Sequence, residues 1–365
     1  MARLLEIARR SFEANIRILG SKRVIVAGAN QFGSVWTRDF CFASGGLLKA
    51  GLPDVVRDTL AAICAGQRAD GLMPRLLDSS DPIVRFVRSA LGSRLPLSEP
   101  LKPNFISDHF VISIDSNALL AWTARRYADA TGDTAFLESL RPRLERGLDW
   151  YRTVEKDGLA RQPPFSDWKD SIAARRDAVF MMELLRWQGL RALGRETEAL
   201  AVKTRADEAF WEETGGFYRD TLGFPLFSSD SNFGAIAWGF CSVERARRIW
   251  DAARRLGLWT RWGPRAGQRY PWREKGVLPR IALMHRYHDD HVWLWNSAVA
   301  LTALRRLGEN AEAEKLAAEI TALAERDGEI GEVYEPEDGR PAKTWLYQSE
   351  APFTWSSAML FEALA

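Results

Sequence analysis

The sequence predicts an all-α chain, about a dozen helices joined as antiparallel hairpins, with long loops and little strand. Three observations carry this. Apolar residues recur at helical spacing over 2–19, 38–51, 53–66, 112–131, 134–153, 174–194, 197–212, 231–240, 243–256, 288–307, 309–326 and 352–364. Short glycine-containing breaks (AGLPD, ATGD, LGRE, LGEN) divide many of these stretches, as where one helix is capped and the next begins. The remaining connections are of unequal length, the longest being 67–110, 154–173, 214–230, 257–287 and 327–351. Loops this long in a compact helical protein usually carry function.

Along the chain, MARLLEIARRSFEANIRIL reads as an amphipathic helix. It has no continuous apolar core or small-residue cleavage site, so no signal peptide is expected. The clearest strand patterns are RVIVAG (23–28) and GFYRD (215–220), the latter a small hairpin or rim loop. The 365 residues, 46% hydrophobic, suffice for one large core, and a single domain over 1–365 is expected. If a boundary existed, 214–230 would be its place.

Fifty basic residues against 48 acidic give a net charge of +2, which argues against a nucleic-acid surface. Arg9–Arg10, Arg175–Arg176 and Arg305–Arg306 fall at helical positions and read as solvated faces. The three cysteines, Cys41, Cys64 and Cys241, form no CxxC pair, and their sparseness suggests a reducing compartment. No run of about 18 apolar residues exists, so no membrane span is expected and the expected location is the cytoplasm. Oligomeric state is not legible. Fifteen tryptophans stand out: most suit core packing, and some suit stacking on sugar rings.

The chemistry-bearing stretches lie mainly in the loops. His285 and HDDH at 288–291 could share a helix face, but the spacing matches no metal signature, so no metal is expected. No GxSxG or phosphate loop is present. FSDWKDS (165–171) sets Asp167, Trp168, Lys169 and Asp170 together. A carboxyl beside an indole suits a general acid that keeps its proton near neutral pH. Either aspartate could serve, and Asp170 also reads as a helix N-cap. The partner base must come from a distant loop, with Glu332, Glu335 and Glu350 as candidates.

Six stretches, in order along nearly the whole chain, resemble the six-hairpin glycosidases. These are VWTRDFCFASGGLLKAGLPDVVRDTL, DGLMPRLL, SIDSNALLAWTARRYADATGD, SDWKDS, RYHDDHVWLW, and GEVYEPEDG followed by FTWSSAMLFEAL. The likeness is to neutral/alkaline invertases and to the amylo-1,6-glucosidase part of glycogen-debranching enzymes. It implies an (α/α)6 toroid and inverting hydrolysis of a small carbohydrate without a cofactor. Carried over by position, Asp170 matches the general acid and Glu332 the general base that activates water. Trp36, Arg38 and Asp39 match residues that hold the non-reducing sugar, and Asp115 matches the aspartate of the family's VDSG stretch, at or just behind the substrate. Asp167, Trp168, Lys169, Asp177, His288, Trp293 and Trp355 are the further expected substrate contacts.

The chain departs from invertases after the acid, where IAARRDAVFMMELL is shorter than their loop, and Asp177 is the candidate for their glutamate. The DWKD wording leans towards glucosidases. A short α-glucoside or similar di- or oligosaccharide is the expected substrate class. Two rivals use the same toroid: a sugar epimerase, which needs paired histidines, and a catalytically silent sugar-binding protein.

Overall fold

The computed structural model describes residues 2–80, 84 and 97–365. Twelve helices of nine residues or more build the described part. They are α1 (Ala2–Glu13), α2 (Thr37–Lys49), α3 (Pro53–Ala65), α4 (Ser116–Thr131), α5 (Thr134–Trp150) and α6 (Phe180–Ala192), then α7 (Glu196–Phe210), α8 (Ser229–Ala237), α9 (Val243–Arg255), α10 (Leu294–Leu307), α11 (Asn310–Asp327) and α12 (Thr354–Leu364). The even-numbered helices pack side by side in the order α2, α4, α6, α8, α10, α12, and α12 returns to α2 to close the ring. The odd-numbered helices pack around the outside, each against an inner neighbour. This is the (α/α)6 toroid.

Burial explains the two layers. Inner α10 is buried at ten of its fourteen positions, so its sequence is apolar or small nearly all round. Outer α9 buries one stripe (Ala246, Ile249, Trp250, Ala252, Ala253) and turns its arginines outward. The ring's centre is filled by aromatic rings from several inner elements. Trp295 stacks on Trp355 at 4.3 Å, and Phe42 stacks on Trp355 at 5.1 Å and on Trp295 at 5.7 Å. Trp238 and Trp122 continue the cluster. Core packing therefore accounts for Trp355, which the sequence placed at the substrate.

The seam is tight. A Cβ on Gly46 of α2 would sit 2.0 Å from the Ala358 carbonyl oxygen of α12. Backbone cannot yield as a side-chain tip does, so Gly46→Ala is expected to cost about 1–3 kcal/mol, typical of overpacking. Urea unfolding followed by circular dichroism measures it, and an unchanged midpoint would show that the two helices can separate at no cost.

Each inner helix from α2 to α10 leads into its outer partner through a short turn, and every outer helix returns through a longer loop. The long loops therefore gather where the inner helices begin. There the start of one inner helix is bridged to the next loop round the rim. Val35–Trp36 pairs with Leu76–Asp78, Val179 with Thr221, Ser228 with Gly267, Val292–Trp293 with Val333–Tyr334, and Phe353 with Gly28. Six helix N-termini point their N–H groups at this rim, which favours carboxylates there.

Several boundaries differ from expectation. The N-terminal pattern ends at Glu13, and Ile16–Leu19 pairs with Lys22–Ile25 across Gly20, whose φ of 58° a glycine tolerates. Residues 174–179 and 288–293 precede their helices as non-helical rim segments of turns and short bridges, and their charged side chains are spent on partners in neighbouring loops. Of the expected 67–110 loop, residues 81–83 and 85–96 lie outside the described residues. The 215–220 pattern forms a small hairpin, Trp211–Glu212 against Phe217–Tyr218. Among the described residues no helix is long and apolar enough to cross a membrane.

Candidate active site

The rim loop 165–171 is fixed from below by buried charges. Arg175 is fully enclosed and donates to Asp167 at 2.7 Å through Nε and to Asp220 at 2.5 Å through Nη1, with Asp230 at 3.5 Å. Asp167 also accepts from Gln162 at 3.1 Å and from the Lys169 backbone N–H at 2.9 Å. Lys169 is fully buried, its ammonium donating to Ser228 Oγ at 2.6 Å and to the Ala266 carbonyl at 2.9 Å, and burial lowers its pKa. Trp168 donates from Nε1 to Asp230 at 2.5 Å.

These anchors leave Asp170 as the open carboxyl of the loop. About a third of its side chain (32%) is accessible, and Arg75 Nη2 lies 3.1 Å from its Oδ2. Burial pushes its pKa up to about 6, Arg75 pulls the other way, and Asp108 adds to the rise. Asp170 caps no helix, since α6 begins at Phe180 after an extended Val179.

Glu332 lies just before the Val333–Tyr334 strand and is buried. It accepts from the hydroxyls of Tyr287 and Tyr347 (2.6 Å for Tyr347), and from the Glu350 N–H at 3.3 Å. Burial raises its pKa to about 8, and the two tyrosine hydrogen bonds oppose that rise. A short path of contacts joins the two carboxyls. Ser171, next to Asp170, hydrogen-bonds His288 Nδ1 at 2.7 Å. His288 packs 4.4 Å from Tyr287, which reaches Glu332. Trp293 stacks on His288 at 5.3 Å and meets Trp168 edge-on at 5.4 Å.

The third part of the site is the start of α2. Arg38 pairs through Nε with Asp115, which also accepts from Ser113 at 3.1 Å. Asp39 is buried and no side chain among the described residues hydrogen-bonds its carboxyl, which burial raises to about 7. Arg75 lies 4.6 Å over the ring of Trp36, joining this part to Asp170. Trp36, Asp39 and Asp170 thus share Arg75 as a common neighbour.

A family profile, the mannosylglycerate hydrolase MGH1-like glycoside hydrolase domain, matches residues 186–356, which include Glu332. That match spans just under half of the chain, and the chain folds as a six-hairpin toroid. It is a glycoside hydrolase by that domain. No curated protein matches the sequence. Among solved structures it is similar to a GH63 mannosylglycerate hydrolase from Thermus thermophilus in complex with Tris and D-glycerate (TM-score 0.72, 16% identity, covering 98% of this chain and 99% of that one). A rhamnosidase from Klebsiella oxytoca with rhamnose bound gives a TM-score of 0.69 at 15% identity, over 98% of this chain and 62% of that one. A glycosidase variant in complex with glucose gives 0.69 at 16% identity, over 99% and 96%. At such identities the structural likeness speaks to the fold.

Against this six-hairpin frame, the structure redirects several residues expected at the substrate. Lys169 and Asp167 are spent within the protein. Asp177, at a positive φ of 65°, pairs with Arg161 at 2.8 Å with most of its side chain in solvent. Trp355 is core. Arg175 is no solvated helical residue but the enclosed hub of an ion cluster. Within HDDH, Asp289 pairs with Lys275, Asp290 with Arg265, Arg269 and Arg286, and His291 lies 3.4 Å from Glu335. Among the described residues no group of three or more His, Cys, Asp or Glu is placed to hold a metal.

Sequence reasoning missed Tyr287, Tyr347 and Arg75. Tyr287 and Arg75 lie inside the quoted stretches RYHDDHVWLW and DGLMPRLL, but nothing local marks a residue whose role is to touch a distant carboxyl. Glu350, a candidate base, is also spent. Its carboxylate accepts from the backbone N–H groups of Asn30 at 2.6 Å and Gln31 at 2.9 Å, clasping the first rim loop to the last.

The two raised carboxyls set a pH profile. The acid must be protonated and the base ionised, and the product of those fractions is bell-shaped with limbs near the two pKa values whichever group owns which. Activity of the free enzyme is expected to peak between about 6 and about 8 and fall on both sides. A kcat/KM profile checks this, and a plateau extending well above pH 8 would contradict it.

Proposed function

We propose that this glycosidase is an inverting hydrolase of a short α-glucoside or related di- or oligosaccharide, with Asp170 as general acid and Glu332 as general base. The observation that carries the reading is the contrast between Asp170 and Asp167. Of the two neighbouring carboxyls, one is locked by Arg175 and the other stands open at the mouth. Asp170 protonates the glycosidic oxygen as the bond to the anomeric carbon breaks. Glu332, oriented by Tyr287 and Tyr347, takes a proton from the water that attacks the opposite face. Asp39, with an uncommitted carboxyl, accepts from sugar hydroxyls, and Trp36 and Trp293 supply apolar faces. Arg38, Asp115, Trp168 and His288 hold these groups in place. Two carboxyls and water suffice, without a cofactor.

The 365 residues act as one catalytic domain in this reading, and three sparse cysteines suit a cytoplasmic location. The wording of FSDWKDS favours a glucosidase over an invertase. A glycosyl glycerate is the first alternative substrate, because the matched family and the Thermus neighbour carry mannosylglycerate in their names. The epimerase reading loses support because His288 is bonded to Ser171 and stacked on Trp293. A panel of sucrose, trehalose, isomaltose, maltose and mannosylglycerate tests the proposal. Cleavage of at least one is expected, and binding without turnover would favour the silent sugar-binding reading.

A further inference from the structure

Eleven large apolar side chains stand exposed among the described residues, and six of them lie on two rim loops. They are Trp272, Val277, Ile281 and Leu283 on the loop before α10, and Trp345 and Leu346 on the loop before α12, each more than half exposed. Scattered apolar residues are normal on a surface, but a contiguous group marks an interaction site.

Hydrogen bonds place the two loops of this group beside residues that neighbour the candidate acid and base in sequence or contact. The Gly276 N–H donates to the Ser171 carbonyl at 2.8 Å and the Ala173 N–H to the Glu274 carbonyl at 2.7 Å, so segment 274–276 runs alongside the residues that follow Asp170. Trp345 Nε1 donates to the Ile281 carbonyl at 3.2 Å, which joins the two loops and fixes one edge of an indole that is otherwise largely exposed. Two residues beyond Trp345, Tyr347 bonds Glu332. Trp272 meets His285 edge-on at 5.2 Å, and Arg280 lies 5.9 Å from its ring.

From this we infer that Trp272, Val277, Ile281, Leu283, Trp345 and Leu346 form a leaving-group subsite for an aglycone with an apolar aryl or alkyl face. The inference rests on the assignment of Asp170 as the acid, and within the short α-glucosides proposed above it favours those whose leaving group is not a second sugar. A general acid stands on the side from which the leaving group departs, and the loop paired with residues 171–173 is the one that carries the platform. Four of the six side chains are aliphatic, which suits a hydrophobic aglycone better than a hydroxylated ring, whose polar rim needs hydrogen-bond partners.

The test uses non-hydrolysable phenyl and methyl 1-thio-α-glucosides and 1-thio-α-mannosides, titrated calorimetrically into the full chain. For the sugar that binds, the phenyl compound is expected to bind about tenfold tighter than its methyl counterpart, the scale of one well-buried apolar group. Trp345→Ala and Trp272→Ala are each expected to cut that preference to about threefold or less, with the methyl compound unchanged within about twofold. A preference that survives both variants overturns the inference, as does absence of any phenyl preference with either sugar. If Trp345→Ala weakens maltose more than the phenyl thioglucoside, the platform takes a second sugar ring and the aryl-or-alkyl assignment falls. Failure of the catalytic reading looks different: the phenyl preference and its loss in the variants persist, while no glycoside is turned over.

Discussion

Glu332→Gln is expected to abolish most activity and to leave the protein no less stable at pH 8. The loss of kcat should be at least ~100-fold, the scale of a lost general base, and Asp170→Asn should lose as much. The stability half follows from the sign of the pKa shift. Glu332 is held at about 8 when folded, above its ordinary value of 4.5. The folded state therefore keeps a proton that the unfolded state has released between those values. Stability from this group is greatest at low pH and falls as pH rises through that window. The amide cannot ionise, so the variant escapes this cost and still receives hydrogen bonds from Tyr287 or Tyr347 at its carbonyl. A glutamate kept despite that cost is one retained for function. Kinetics and thermal melts at pH 5 and pH 8 check both halves, and a variant that loses activity only by unfolding would contradict the assignment.

Arg175→Met carries the largest expected effect on stability. The guanidinium answers three buried carboxylates, Asp167, Asp220 and Asp230, from one enclosed position. Methionine preserves some apolar volume but donates nothing. Removing one partner of a buried ionic cluster costs about 3–5 kcal/mol, because the remaining charges stay desolvated. Urea unfolding measures it. The loss should exceed that of Arg176→Met, since Arg176 is half exposed and its ion pair is with Glu274 alone among the described residues. Equal effects for the two arginines would show that the cluster is not what anchors loop 165–171.

Adjacent Arg175 and Arg176 also show where the sequence is opaque. Both look like surface residues on a helical face, yet one is the hub beneath the candidate acid. The distinction depends on Asp220 in the next rim loop and Asp230 in the first turn of α8, and no local pattern encodes their approach. Lys169 repeats the lesson, since a lysine flanked by two carboxyls reads as a substrate contact until Ser228 and Ala266 enclose it. The helices were legible for the opposite reason. Their 3.6-residue periodicity and short inner-to-outer turns are local, and those turns place the long loops at one rim. Helix starts were misjudged at 174 and 288 because rim segments carry apolar residues, such as Ala178, Val292 and Trp293, that continue the periodicity without helical backbone. The order of Asp39, Asp115, Asp170 and Glu332 could be read. Tyr287, Tyr347 and Arg75 could not, because they matter only through contacts made after folding.

The claim that Asp170 and Glu332 work through a water molecule on opposite faces of the sugar is tested most directly by the anomer released first. The measurement is proton NMR of a cleaved α-linked panel substrate, recorded before mutarotation equilibrates the product. An inverting pair releases the β-anomer first, and Asp170→Asn and Glu332→Gln both suppress its appearance. Release of the α-anomer would mean a covalent glycosyl intermediate and closely spaced carboxyls, and would contradict the assignment of Glu332 as a base acting through water.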